Sequence, residues 1–302
     1  VTVPGPSQSV DYVAYVGLAL LAVCFGSGFY FTSLALEGLS VAAIGSARIV
    51  VAALFLVPFA ITSGHGLPNS LIGWAWCFGF GIVAWVVPFI LLVWAQTRIP
   101  TNVLGAFFSA VPLMILFLSW AILKVEITIR KWIGLAIGSI GLVMLAGPGT
   151  LSQLEFGAEY LAQAATFLAV LGFAAGAIII RVMPSRSAVQ ATAGAAVAST
   201  VLVSPILITM LPATAPGTAT IVGVLGLGFF STGLGQFVRF FLIRRRGPVF
   251  IVPNGYLAAM VAAVLGVFLL GETLTPAMLV SFATILLGLL IASDGSGRMK
   301  AV

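Results

Sequence analysis

Apolar residues fill this chain in long stretches, and polar residues are gathered into short breaks between them. The stretches lie near 12–34, 40–61, 71–94, 101–123, 132–147, 158–180, 188–211, 218–242, 248–270 and 276–292. A helix needs ~20 mostly apolar residues to cross a bilayer, and all but the fifth and tenth stretches reach that length. Strands of a membrane barrel would be ~10 residues long with alternating polarity, and no such alternation occurs. The pattern predicts an all-α polytopic membrane protein of ten transmembrane helices, a single transmembrane domain over 1–302. The segment "VTVPGPSQSVDYVAYVG" has no basic leader and no small-residue cleavage site. It reads as a short tail entering the first span, not as a signal peptide.

Composition strengthens this picture. The chain has 302 residues, 61% hydrophobic and 7% charged, with a mean hydropathy of +1.24. A soluble domain carries roughly 25% charged residues, so no water-facing domain can be built here. The net charge of +6 is explained by position. Lys124, Arg130, Lys131, Arg181, Arg186, Arg244, Arg245 and Arg246 fall in loops on the N-terminal side. Arg239 lies near the same end of span eight, and Arg298 and Lys300 lie in the tail. The opposite side holds Arg98 alone. Cytoplasmic loops collect Lys and Arg, so both termini are expected in the cytoplasm, and nucleic-acid binding has no place. Cys24 and Cys77 have no partner at metal or redox spacing and read as small core residues.

A second pattern sits inside the first. "LKVEITIRKWI" and "LLGETLTPAML" each end an apolar run with a Glu and a Thr-containing turn, and Glu126 and Glu272 are 146 positions apart. At nearly the same offset "FGSG" (25–28) answers "FAAG" (173–176), Pro58 answers Pro205, and Gly141 answers Gly288. A common offset points to internal duplication, with repeats over 12–147 and 158–292. Five spans per repeat is an odd number, so the copies must face opposite ways. Glu126 then ends on the cytoplasmic side, among basic residues, and Glu272 ends outside without them. Inverted repeats of this kind are a transporter architecture.

"FGSGFYFTSLALEGLSVAAIGSARIVVAALFLVP" (25–58) resembles the opening of the EamA family of the drug/metabolite transporter superfamily. The modules ending "LKVEITIRKWIGLAIGSIGLVML" and "LLGETLTPAMLVSFATILLGLLI" resemble that family's repeated unit, and the likeness covers nearly the whole chain. The resemblance implies ten helices, cytoplasmic termini and metabolite transport, often export. Within that family the chain resembles bacterial aromatic amino-acid exporters in length and aromatic content.

Intramembrane charge is costly and usually marks function. Asp11, Glu37, Glu126, Glu155, Glu159, Glu272 and Asp294 all fall at span ends or in loops. The lack of a mid-span carboxylate disfavours a proton-coupled pump built on a buried Glu. Arg48 is the exception, ~12 Å into span two at 1.5 Å per residue, and it matches the family's A-x-R position. It is read as structural, pairing with helix-end carbonyls or a carboxylate. The alternative is that it binds an anionic substrate group. A phosphorylated-sugar carrier would want several converging cations.

A cavity is expected to be neutral and aromatic, drawn from Tyr30, Phe78, Trp85, Ser109, Gln163, Ser231, Gln236, Asn254 and Tyr256. Such walls suit a small neutral or zwitterionic amphiphile, and for each aromatic, plain packing is the competing role. Pro88, Pro112 and Pro253, with Gly255, are hinge or kink candidates, because neighbours in a membrane can satisfy freed backbone groups. Gly134 with Gly138, and Thr284 with Gly288, are read as close-packing positions, within a monomer or across a homodimer.

These features predict a bacterial inner-membrane carrier working by alternating access, with a small-molecule substrate and the lipid bilayer as partners. No cofactor, metal or enzymatic activity is expected, since His65 stands alone in a loop. No GxxxxGK[ST] loop occurs, so ATP is not expected as the energy source. Facilitated export of aromatic and other amino acids is the leading expectation. A lipophilic-cation or drug efflux carrier is the alternative, and a scaffold or channel follows.

Overall fold

The computed structural model describes residues 11–96, 98–99, 107, 110–146, 160–210, 215–270 and 276–292. They fold into helices: α1 (Tyr12–Leu36), α2 (Val41–Thr62), α3 (Leu71–Phe80, Gly81–Val86 and Val87–Gln96), α4 (Ala110–Leu123) and α5 (Ile129–Ala146). The second half adds α6 (Tyr160–Val182), α7 (Ala188–Thr209), α8 (Thr218–Leu225, Gly226–Leu234 and Gly235–Arg246), α9 (Pro248–Ile251 and Asn254–Leu270) and α10 (Pro276–Ala292). Among the described residues seven helices are long and apolar enough to cross a membrane. α4 and α10 are shorter apolar helices. The outward surface carries large bare side chains such as Leu54, Ile72 and Phe268, which suits lipid and not water.

Capping residues set the helix starts. The side chains of Asp11, Ser40, Ser70 and Ser187 each accept a hydrogen bond from the backbone N–H three residues on, satisfying a donor the helix itself leaves bare. Ser40 and Ser187 share one separation along the chain with the starts of α3 and α8 and with Pro58 and Pro205. Each of those prolines offers its carbonyl to a threonine hydroxyl four residues later, Thr62 at 2.9 Å and Thr209 at 3.1 Å.

Helix packing follows the same correspondence. α1 lies against α8 and α9, while α6 lies against α3 and α4. α2 packs on the middle of α8, and α7 packs on α3. α2 also meets α7, and α5 meets α10. Glycine allows the last approach: a methyl group on Gly134 would fall 2.5 Å from the Gly288 oxygen. The small residues at 134, 138 and 288 therefore serve packing within one chain.

Two helices contain a π-helical turn, Gly81–Val86 in α3 and Gly226–Leu234 in α8. Neither turn is visible as an irregularity in the apolar pattern. The ninth predicted span is interrupted next to Pro253, one of the hinge or kink candidates. It opens with a 3-10 turn and breaks at Val252–Pro253 before α9 proper begins.

Polar ties gather at one end of the bundle. Arg245 forms a fork on Asp11, with Nε to Oδ2 at 2.9 Å and Nη2 to Oδ1 at 3.1 Å. That bonded guanidinium holds the Asp11 carboxyl below its usual value of 3.8. Arg244 donates to the carbonyls of Met183 and Ser185, and Arg181 donates to the Arg244 carbonyl. The Gln190 amide reaches the Leu67 carbonyl at 3.2 Å. The N-terminal end of α1 and the loops following α2, α6 and α8 are thereby stitched together.

Candidate functional site

The interior cations define the site. Arg48 lies on α2, two turns from its start, and its side chain is half-buried. Its Nε donates to the Thr232 hydroxyl at 2.9 Å, and its guanidinium lies 4.1 Å from the centre of the Phe89 ring. The Thr232 hydroxyl in turn donates to the Leu227 carbonyl five residues back, at 2.9 Å. An i−5 reach matches the π-helical turn in which Thr232 sits. The local backbone irregularity of α8 thus aims the hydroxyl's lone pair at Arg48.

Phe89 stacks at a tilt on Phe173 of α6, with ring centroids 5.6 Å apart. Behind Phe173 is a second cation. Arg239 is 4% exposed, and its Nη2 donates to the Phe173 carbonyl at 2.7 Å. Its Nη1 approaches the Gln236 side-chain oxygen at 3.5 Å. Among the described residues no carboxylate forms an ion pair with either arginine; the ion pairs of Arg245 and Arg246 are both with Asp11. Arg48 over the Phe89 ring, Phe89 against the Phe173 ring, and Arg239 on the Phe173 backbone carbonyl form a connected row inside the bundle.

The structure sorts the other expected residues. Gln236 joins this row, and Ser231 is buried on the same π-helical turn as Thr232. Trp85 is fully buried on the α3 turn, edge-on to Phe80 at 5.6 Å, and its indole N–H has no partner. The Asn254 side-chain oxygen is also buried without a partner. Tyr256 points elsewhere, donating to the Leu135 carbonyl at 2.7 Å and meeting the Ser139 hydroxyl at 2.9 Å, which ties α9 to α5. Tyr30 packs beside Phe31, and Phe78 packs against the core. Gln163 is half-buried on α6. Ser109 and Glu272 lie outside the described residues, and Glu126 is exposed in the turn after α4.

Pro88 directly follows the α3 π-helical turn and packs against Gly172. Pro112 is buried opposite Gly255, and the Pro253 carbonyl accepts from the N–H groups of Tyr256 and Leu257 at the start of α9. Sequence reasoning missed Phe89, Phe173 and Thr232, and it placed Arg239 at a water-facing helix end. α8 continues to Arg246, which sinks Arg239 two turns into the helix. A usable signal was present: Gln236 and Arg239 are three apart, on one helix face.

Comparison with known proteins gives this geometry a family. Residues 13–147 match the EamA-like transporter family. The protein named "Uncharacterized inner membrane transporter YedA" of Escherichia coli (strain K12) is 25% identical over 281 residues, which is 92% of this chain and 90% of YedA. Protein PecM of Dickeya dadantii (strain 3937) is 26% identical over 248 residues, covering 79% of this chain and 80% of PecM. A solved protein crystal structure has the same fold, with a TM-score of 0.77 over 93% of this chain and 96% of its own at 17% identity. Residues 13–147 are an EamA-like transporter domain, and over most of its length the chain is similar to an inner membrane transporter.

Proposed function

We propose that this transporter moves small neutral or zwitterionic amphiphiles, such as aromatic and other amino acids, out across the inner membrane. It works by alternating access and needs no coupling ion. Its ten transmembrane helices form two inverted five-helix repeats, 12–147 and 158–292, with both termini cytoplasmic. The observation that carries this reading is the exchange relation between the halves. α1 on α8 and α9 corresponds to α6 on α3 and α4, and α2 on α8 corresponds to α7 on α3. A fold whose halves can trade places has two arrangements of similar energy, one open to each side.

The cytoplasmic placement of the termini is supported by the ties among Asp11, Arg181, Arg244 and Arg245, which gather basic residues at one end as a cytoplasmic face requires. The Phe89–Phe173 pair beside the half-buried Arg48 supports the substrate class. A lipophilic-cation carrier fits less well, because Arg48 and Arg239 make the interior positive.

Counterflow tests the proposal. Liposomes with purified protein are preloaded with unlabelled Phe, Trp, Leu or Thr and given a trace of label outside. Uptake driven by the preloaded amino acid, unchanged when the transmembrane pH gradient is collapsed, is the expected result. Traces identical with and without folded protein would reject these substrates, and loss of exchange on collapsing the gradient would reject the facilitated mechanism.

A further inference from the structure

The two interior arginines are not equivalent. Arg239 is sealed, and its Nη atoms are used on the Phe173 carbonyl and the Gln236 amide. Arg48 is half-buried, and among the described residues its one hydrogen bond is from Nε. Its guanidinium is braced by Thr232 at Nε and by the face of Phe89. What remains is the end bearing Nη1 and Nη2, a planar fork of N–H donors. A cation in a membrane interior is costly unless it finds an opposite charge, and the described residues offer Arg48 none. A planar fork matches a carboxylate in bidentate geometry.

We propose that Arg48 binds the carboxylate of the transported molecule, with the apolar body of that molecule against the half-buried Phe173. This rests on the reading of the chain as a carrier of small amphiphiles and adds a requirement to it: the substrate must carry a carboxylate. Arg239 is a second interior positive charge, held on the Phe173 backbone carbonyl. Thr232 is a positioning residue, since it touches Arg48 and not the substrate.

The test is thermal unfolding of purified protein in detergent with 3-phenylpropionate, its methyl ester, or phenethylamine. A ligand that binds only the folded form raises the melting temperature. The carboxylate is expected to raise it by roughly 3 °C or more at saturation, the ester and amine to do so at least tenfold less potently, and Arg48→Gln to abolish the carboxylate effect. A carboxylate effect no larger than that of the ester, or one that survives in Arg48→Gln, overturns the assignment. Should Arg48→Gln fail to fold, the carboxylate-to-ester comparison on the unaltered protein decides alone.

Transport separates this inference from the parent proposal. Carboxylate-selective stabilisation without amino-acid counterflow leaves Arg48 in its role and removes the amino-acid substrates. Counterflow of phenylalanine amide as fast as phenylalanine does the reverse.

Discussion

The π-helical turns of α3 and α8 occupy corresponding places in the two halves, yet they hold different chemistry. At the first, Gly81 lets α3 approach Ser199 of α7, and Trp85 fills the interior with a ring whose N–H finds no partner. At the second, Gly228 lets α8 approach Val51 and the Arg48 carbonyl on α2, and Thr232 anchors the Arg48 side chain. Gly28 meets Ser231 and Leu227 across the second turn as Gly176 meets Ala84 and Phe80 across the first. Backbone packing is shared because each turn lies against a partner helix at close range. The side chains diverge, with Trp85 at one turn and Thr232 at the other.

Adding a methyl group to each glycine should separate the two turns most clearly. At Gly228 it collides with Val51 and lies 3.1 Å from the Arg48 carbonyl, where backbone cannot yield. Gly228→Ala should cost about 2–3 kcal/mol, the usual scale of overpacking, read as a lower melting temperature. At Gly81 it meets the Ser199 hydroxyl at 2.6 Å, an unpartnered group that can rotate away. Gly81→Ala should therefore stay within about 1 kcal/mol of the parent. Equal losses would mean that the two turns are packed alike.

The polar contents of the turns give the next contrast. Thr232→Val removes the Arg48 brace and should weaken exchange roughly tenfold, about 1.4 kcal/mol, as a raised half-saturation concentration in counterflow. Trp85→Phe discards an N–H that has no partner to lose but leaves a smaller ring in the core, so half-saturation should hold and stability should change by no more than about 1 kcal/mol. A strong transport defect in Trp85→Phe with normal yield would place the α3 turn at the substrate as well.

Tyr256→Phe lies off this axis and sharpens it. Loss of the hydrogen bonds to Leu135 and Ser139 should cost about 1 kcal/mol and leave the half-saturation concentration unchanged. A shift in that concentration would return Tyr256 to the cavity.

The smallest effect is expected at the stitched end. The depressed Asp11 value means that its pairing with Arg245 is fully present above the ordinary value of 3.8 and fades as pH falls through the lower folded one. Asp11→Asn should change stability at neutral pH only slightly, as for exposed pairs. It should also flatten the loss below roughly pH 4, seen as melting temperature against pH.

Much of the helical framework was legible because its cause is local. Runs of apolar side chains must leave water, and Ser40, Ser70 and Ser187 announce where helices begin. The correspondence of Pro58 with Pro205 and of Gly141 with Gly288 needed only counting. The candidate site was harder to read. In a chain this apolar both sides of a helix look alike, since lipid and core are equally greasy, so Phe89 and Phe173 could not be told from lipid-facing rings. Arg239 was hidden by the Arg244–Arg246 run beside it. Tyr256 carried the same hydroxyl whether it faced a substrate or Ser139.

The sequence by itself determined that this protein is a bundle of membrane helices with short motifs recurring at a common offset, and it singled out Arg48. Hydrophobicity, capping and repetition are properties of neighbours along the chain, and they act wherever the chain goes. Only the tertiary structure decided what Arg48 touches. Its partner Thr232 lies 184 positions away, and the hydroxyl is aimed by a π-helical turn that no residue pattern marks. Direction inside a bundle is set by which helices meet and how closely their glycines let them come, and that is settled only when the whole chain has packed.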